Sequence, residues 1–333
     1  MRLRLEDFTE IFLPKVEEII KRYLSGKPEL LYRASYHLIS AGGKRLRPLI
    51  LGLFSLSYDG DLDIASYPAA SIEILHNFTL VHDDIMDNDD FRRGVPTTHR
   101  VYGIPMAILA GDLLHSMAYR PILELKKRGL DSDIVTRILD ILNRTTITLA
   151  EGQALDTIYS SSLNIDEENY IEMISKKTAS LFSSSAVIGG LISGAPETDL
   201  RNIELFSINA GIAFQIRDDI IGVFGDPKET GKPILNDLRE GKRTLLVIKT
   251  IKSLDDHGRK VFTSIVGDRN ASIDDLYRAR DIIRESGALR YAEERVKYYY
   301  NKAIEYLEKL QVKNNTGINL IKELASKLAW RRY

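Results

Sequence analysis

The chain has 333 residues, 44% of them hydrophobic, a formal net charge of −1 and no cysteine. Disulfide scaffolds and zinc–thiolate sites are therefore excluded, and the near-neutral balance argues against nucleic-acid binding. No apolar run reaches the ~18–20 residues of a membrane span and no secretory segment opens the chain, so a soluble, cytoplasmic protein without membrane insertion is expected.

In chain order the sequence reads almost entirely as helix. Phe8, Ile11 and Phe12 form an apolar stripe, Pro14 suits a helix start, and Val16, Ile19, Ile20 and Tyr23 continue at spacings of three and four. Ser25-Gly26-Lys27-Pro28 is a turn. A helix from about Glu29 should stop at Gly42-Gly43, and Pro48 opens another that Tyr58-Asp59-Gly60-Asp61 breaks. Ser66 to about Asp87 follows, with Ser66 as the cap and Pro68 in the first turn. Pro105 starts a helix that ends in Lys126-Lys127-Arg128-Gly129, cations and then glycine. Asp131 to about Tyr159, Asp166 to about Ser193 and Asp199 to Phe224 are long helices; a polar loop, Gly225 to Arg243, precedes four shorter ones. No stretch alternates as a strand. No linker, low-complexity run or repeat marks a boundary, so residues 1–333 read as a single-domain, all-α bundle.

Candidate chemistry lies at helix ends. Asp83, Asp84, Asp87, Asp89 and Asp90 put five carboxylates within eight residues, with Asp83 and Asp87 one turn apart on one face. They repel one another unless cations hold them, and all-oxygen donors suit Mg2+, which keeps several waters and bridges to phosphates. A solvated acidic helix end explains one such segment equally well; a second, Phe214-Gln215-Ile216-Arg217-Asp218-Asp219, sits in an apolar helix, where paired carboxylates are costly without a cation. Gly42-Gly43-Lys44-Arg45-Leu46-Arg47-Pro48 gathers three cations at a turn that suits a phosphate. Arg92 and Arg93 are adjacent forks able to hold two different anions. His76 lies seven residues before Asp83, near the same face; by itself it reads as an ordinary core histidine. Gln153 and Asp156 are one turn apart, Lys176-Lys177-Thr178 interrupts a Ser/Ala/Ile helix, and Lys232 and Lys242 stand beside glycines that could close over a phosphate.

From Gly42 to Thr244 the motifs G-G-K-R-L-R-P, D-D-I-M-D-x-D-x-x-R-R-G, G-Q-x-x-D, K-T, F-Q-I-R-D-D and G-K-P…E-G-K-R-T occur in order. Together they resemble the trans-type isoprenyl diphosphate synthases, the archaeal geranylgeranyl diphosphate synthases most of all. The resemblance implies head-to-tail condensation of isopentenyl diphosphate with dimethylallyl, geranyl or farnesyl diphosphate, a homodimer, and Mg2+, typically three ions. It implies that Asp83, Asp84 (supporting), Asp87 and Asp218 hold the metal, and Asp219 is grouped with them. Arg92, Lys177, Lys232 and Lys242 would grip the allylic diphosphate; Lys44, Arg47, His76 and Arg93 the isopentenyl diphosphate. Gln215 and Thr178 would line the place where the allylic cation forms, and Gln153 and Asp156 would support the first metal site. The residues four, five and eight before Asp83, namely Thr79, Phe78 and Leu75, would set product length. An aromatic at position 78 resembles the synthases that stop at C20; this rests on the resemblance, not on the helical wheel, and Phe78 also reads as ordinary core. A C15 or C25–C30 product is the alternative.

One position departs from the family. Where many relatives carry the last Asp of a second D-D-x-x-D, this chain has Gly222, with Asp226 one loop further on. Two other classes compete. A class I terpene cyclase needs only one diphosphate clamp, leaving Lys44, Arg47 and Arg93 without a task. A non-catalytic partner subunit usually loses one acidic motif, whereas both persist here. Long helices with apolar faces on both sides favour a homodimer. The absence of cysteine with many Ile, Lys and Glu hints at a thermophile.

Overall fold

The computed structural model describes residues 3–160, 162, 164–226 and 234–331. Lys232 and the rest of 227–233 lie outside them. The all-α expectation holds, and the helix boundaries follow from local capping chemistry. The helices are α1 (Leu5–Tyr23), α2 (Glu29–Ser40), α3 (Leu46–Ser57), α4 (Leu62–Asp87), α5 (Thr98–Tyr102), α6 (Ile104–Met117), α7 (Arg120–Lys127), α8 (Ser132–Ser160), α9 (Glu167–Ile174), α10 (Ser180–Ile192) and α11 (Glu197–Phe224).

Several expected boundaries move. Pro14 sits inside α1, not at a helix start: Phe8, Phe12, Val16, Ile19 and Ile20 make one buried stripe, and Pro14 is exposed, so the carbonyl it leaves unpaired can be hydrated. α4 begins at Leu62 instead of Ser66. Asp61 caps it by accepting from the Asp63 and Ile64 amides at 2.8 and 3.4 Å, while the Ser66 hydroxyl bonds back to the Asp63 carbonyl at 2.6 Å. The helix expected from Pro105 to Gly129 is two helices, because Pro121, at the start of α7, has no amide hydrogen with which to continue α6. The Asp166–Ser193 helix contains a π turn, Ser175–Ala179. Beyond Gly225 the described residues form Asn236–Glu240 within the expected loop and five further helices, Leu245–Ser253, Asp256–Ile265, Ile273–Glu285, Ala288–Leu307 and Asn315–Ala329. Caps explain some of the extra breaks: the Asp255 and Ser272 side chains accept from the Gly258 and Asp275 amides at 2.7 and 3.1 Å. An unexpected two-residue hairpin, β1 (Phe91–Arg92) and β2 (Val95–Pro96), turns at Arg93 and Gly94, whose φ of 55° and 77° give the left-handed pair that tight hairpins require.

The chain clusters into two compact units. The first comprises residues up to Thr145, Ser184–Glu204 and Lys309–Glu323. In it α4 packs against α1, α3, α6 and α7. Ala65, Tyr67, Ala69, Ala70, Ile72, Ile74 and Leu75 are all buried, so this helix is enclosed around most of its circumference, which its apolar composition requires. The second comprises Thr146–Ser183, Leu205–Glu308 and the residues from Leu324. Its core joins Tyr170, Ile216, Ile220, Leu245, Phe262, Ile283 and Val296. Among the described residues no helix is long and apolar enough to cross a membrane.

Candidate active site

The first acidic segment is the C-terminal end of α4. Asp83 and Asp87 are partly exposed; Asp84 is fully buried. Arg92, brought back by the hairpin, donates from Nε to Asp84 Oδ1 and from Nη2 to Asp89 at 2.9 Å. Burial pushes the Asp84 carboxyl up to about 6 against the pull of Arg92, with Asp89 and Asp83 adding to the rise. Its Oδ2 is buried with no hydrogen-bond donor.

The arginines of the glycine-rich turn divide by role. Arg45, at φ 46°, is buried and fully engaged: it reaches Glu17 at 2.7 Å, Glu73 at 2.9 Å, and the Gly42 and Ile39 carbonyls at 3.0 and 2.7 Å. It is a structural cation. Lys44 is exposed. Arg47 Nη1 donates to His76 Nε2 at 3.0 Å. Burial and the surrounding guanidiniums of Arg47, Arg93, Arg92 and Arg45 hold the His76 imidazole well below its ordinary value, so it is neutral and accepts. Burial also pushes the Arg47 guanidinium down to about 10; Glu73 opposes the fall and Arg93 adds to it. Arg93 points away from Arg92, donating to the Leu38 carbonyl at 2.9 Å and Asn77 Oδ1 at 3.2 Å. Gly43 is needed where it stands: a Cβ there would lie 3.0 Å from the Arg93 Cζ, and its φ is 135°.

Glu73 and Asn77 were not foreseen. Glu73 is 1% exposed, accepts from Asn77 Nδ2 at 3.0 Å, and lies 3.8 Å from Arg93 Nη2. An acid inside the apolar run Ala69-Ala70-Ser71-Ile72-Glu73-Ile74-Leu75 was the available signal.

In the second unit, Lys177 Nζ pairs with Asp156 Oδ2 at 2.5 Å, while Lys176 turns to Glu151 and Glu172 at 3.1 and 3.2 Å. The π turn that carries both lysines lies against α8 at Gly152, where a Cβ would stand 2.7 Å from the Lys177 Cα. Gln153 keeps its Oε1 buried with no donor. Thr178 Oγ1 donates to Gln215 Oε1 at 2.8 Å, and Gln215 Nε2 to Asp219 Oδ1 at 2.8 Å. Asp218 is half exposed and is met by Arg331 Nη2 at 3.2 Å; Arg217 Nε holds the Arg331 carbonyl at 2.7 Å. Asp219 differs from its neighbour: it is 7% exposed, and Tyr170 donates to its Oδ2 at 2.7 Å. Burial pushes Asp219 up to about 8, Asp237 and Asp218 adding to the rise and the two donated hydrogen bonds opposing it. A Cβ on Gly222 would lie 2.9 Å from Asp237 Oδ2, so the carboxylate next to the departed position is Asp237, on the Asn236–Glu240 turn, while Asp226 is exposed. Lys242 lies 3.8 Å from Asp237 and 3.0 Å from Glu240.

The residues expected to set product length separate. Leu75 is fully buried, and Thr79 bonds back to the His76 carbonyl at 2.8 Å. Phe78 stands between two imidazoles, 5.0 Å from His82 and 5.1 Å from His115, with Tyr119 5.5 Å beyond His115. His115 and Tyr119 were not singled out in the sequence.

The side-chain donors on each acidic segment are carboxylate oxygens, and in the first unit Asp84 Oδ2 is a buried acceptor without a hydrogen-bond donor. This fits a hard divalent cation. Among the described residues no three His, Cys, Asp or Glu side chains form a cage by themselves.

Acidic segments flanked by arginine and lysine on an all-helical scaffold define a class of enzyme that acts on diphosphate substrates. The pattern of the family described as polyprenyl synthetase matches residues 28–283. The chain is 47% identical over 325 residues to the geranylgeranyl diphosphate synthase of Sulfolobus acidocaldarius, covering 98% of each. It is 45% identical over 297 residues to the geranylfarnesyl diphosphate synthase of Aeropyrum pernix, covering 89% of this chain and 92% of that one. A similar solved structure is the geranylgeranyl pyrophosphate synthetase of Pyrococcus horikoshii, with TM-score 0.90, 37% identity and 98% of both chains covered. The chain belongs to the polyprenyl synthetase family.

Proposed function

We propose that this protein condenses isopentenyl diphosphate with allylic diphosphates, head to tail, to give geranylgeranyl diphosphate. The observation that carries the reading is a cation cluster separate from the acidic segment: Arg47, neutral His76 and Arg93, arranged about Glu73. A cyclase, with one diphosphate to hold, has no use for it.

In this reading Asp83, Asp87 and Asp218 would hold Mg2+, typically three ions, with Asp84, Gln153 and Asp156 in support, and the bound metal would supply positive charge to offset the negative charge developing on the departing diphosphate. Arg92, Lys177, Lys232 and Lys242 grip the allylic diphosphate as its C–O bond ionises. Lys44, Arg47, His76 and Arg93 hold isopentenyl diphosphate so that its double bond lies close to the cation. Gln215 and Thr178 line the cation's position, where water must be kept out. The new cation then loses a proton; no side chain stands out as a dedicated base, and the released diphosphate serves. Phe78 closes the path of the growing chain, backed by His115 and Tyr119.

The protein acts as one domain and as a cytoplasmic homodimer. Exposed Ile104, Ile108 and Leu109 on α6 support the dimer. The test is incubation with isopentenyl diphosphate, farnesyl diphosphate and Mg2+, followed by chromatography of the products. Diphosphate release with a C20 product is expected. A cyclic hydrocarbon, or no elongation, overturns the reading; a C25 product corrects the chain length alone.

A further inference from the structure

Behind Thr178 runs a chain of hydrogen bonds that no motif announces. The Tyr170 hydroxyl, on α9, donates to Asp219 Oδ2; Gln215 Nε2 donates to Asp219 Oδ1; Thr178 Oγ1 donates to Gln215 Oε1. Every distance is 2.7–2.8 Å. Tyr170, Asp219 and Thr178 are 1%, 7% and 8% exposed. We propose that Tyr170 and Asp219 are positioning residues that fix the orientation of the Gln215 amide, and through it the direction of the Thr178 hydroxyl, for the ionisation step. Asp219 is accordingly not a metal ligand. This rests on the reading above that Gln215 and Thr178 line the allylic cation.

A primary amide has the same shape after a half-turn but the opposite polarity. Asp219 removes the ambiguity. Its Oδ1 only accepts, so Gln215 presents Nε2 to it and Oε1 to Thr178. The single Thr178 hydroxyl proton then goes to Gln215, and the Thr178 lone pairs are left for the substrate side. An oxygen whose proton is committed elsewhere presents electron density to a nascent cation; one with a free proton presents the wrong end of the dipole. Tyr170 occupies the remaining Asp219 oxygen and so anchors the carboxyl.

Asp219→Asn tests this with almost no change of shape. The new amide takes the Tyr170 proton on its oxygen and turns its NH2 on Gln215, which flips and donates to Thr178. The expected result is a kcat about 100-fold lower, with both KM values within about twofold of wild type. The Mg2+ concentration that gives half of the thermal stabilisation by inorganic diphosphate stays unchanged. Tyr170→Phe lowers kcat less, and the double variant falls no further than Asp219→Asn, because the two residues act in series. An unaltered kcat in Asp219→Asn overturns the proposal. So does a tenfold or larger shift of the Mg2+ midpoint, which makes Asp219 a metal ligand. If Asp219→Asn fails to fold, the kcat of Tyr170→Phe decides alone: a fall at constant KM supports the relay and no fall overturns it. Wild-type turnover is the control. Its absence sinks the prenyltransferase reading, whereas an active wild type with unaffected variants sinks only the relay.

Discussion

Replacing Glu73 by Gln keeps the side chain's size and removes its charge. Glu73 is 1% exposed and stands 2.9 Å from Arg45 Nη1 and 3.8 Å from Arg93 Nη2. Removing one member of a buried ion pair costs about 3–5 kcal/mol. Arg45 keeps Glu17 at 2.7 Å and two backbone carbonyls, and Arg93 keeps the Leu38 carbonyl, so the low end, about 3 kcal/mol, applies. At roughly 2–4 °C per kcal/mol for a larger domain, the melting midpoint should fall by about 6–12 °C. Arg47 and Arg93 would then repel each other without the Glu73 counter-charge, Glu17 being held by Arg45. The KM for isopentenyl diphosphate should rise about 10-fold at unchanged allylic KM, a loss of about 1.4 kcal/mol of binding. Circular dichroism melts and steady-state kinetics with each substrate varied in turn would measure both. A midpoint and an isopentenyl diphosphate KM equal to wild type would refute the view that Glu73 holds this cluster together.

Asp83→Ala or Asp218→Ala should abolish turnover with the helical dichroism intact; normal turnover in either would remove the metal assignment. Phe78→Ser should lengthen the product, read by chromatography, and an unchanged chain length rejects its role as a stop. Gly222→Asp, which restores the familiar acidic pattern, should lower stability, because its Cβ would meet Asp237 Oδ2 at 2.9 Å and its charge would repel that carboxylate. A melt no lower than wild type would show that the Asn236–Glu240 turn gives way. Partial burial raises the Glu167 carboxyl, but hydrogen bonds from Lys249 and Tyr291 and the charge of Arg295 outweigh it and hold it low. Its stabilising effect is therefore complete above the ordinary carboxylate range and disappears as pH falls through its lowered value. The difference in melting between wild type and Glu167→Gln should accordingly vanish on acidification; a gap that persists in acid contradicts this.

Long helices were legible because their apolar residues recur at helical spacing, and α11, from Glu197, began within two residues of expectation. Boundaries misjudged were those where a proline competes with a buried stripe. Pro14 loses to Phe12 and Val16, whereas Pro121 prevails at the break after α6. The charged residues of the site were visible as motifs, since carboxylates and guanidiniums are conspicuous in apolar helices. Their division of labour was not. Nothing in K-R-L-R states that Arg45 turns inward to Glu17 and Glu73 while Arg47 meets His76, because the partners come from helices distant in the chain. For the same reason Asp218 and Asp219 look equivalent in sequence and differ in fact: the second is claimed by Tyr170, 49 positions earlier.

The π turn at Ser175–Ala179 also changes what the chain tolerates. A single extra residue in the turn resets the phase of everything that follows, so the face that Thr178 and the start of α10 present depends on it. Backbone at Gly152 presses on one end of the turn, and at Gly211 a Cβ would meet the Ala179 Cα at 2.8 Å on the other. Side-chain repacking cannot relieve a contact made by main chain. Substitutions there should be tolerated at the outward-facing positions alone, and any one-residue deletion within the turn would rewind it to regular α-helix and swing Thr178 out of line with Gln215.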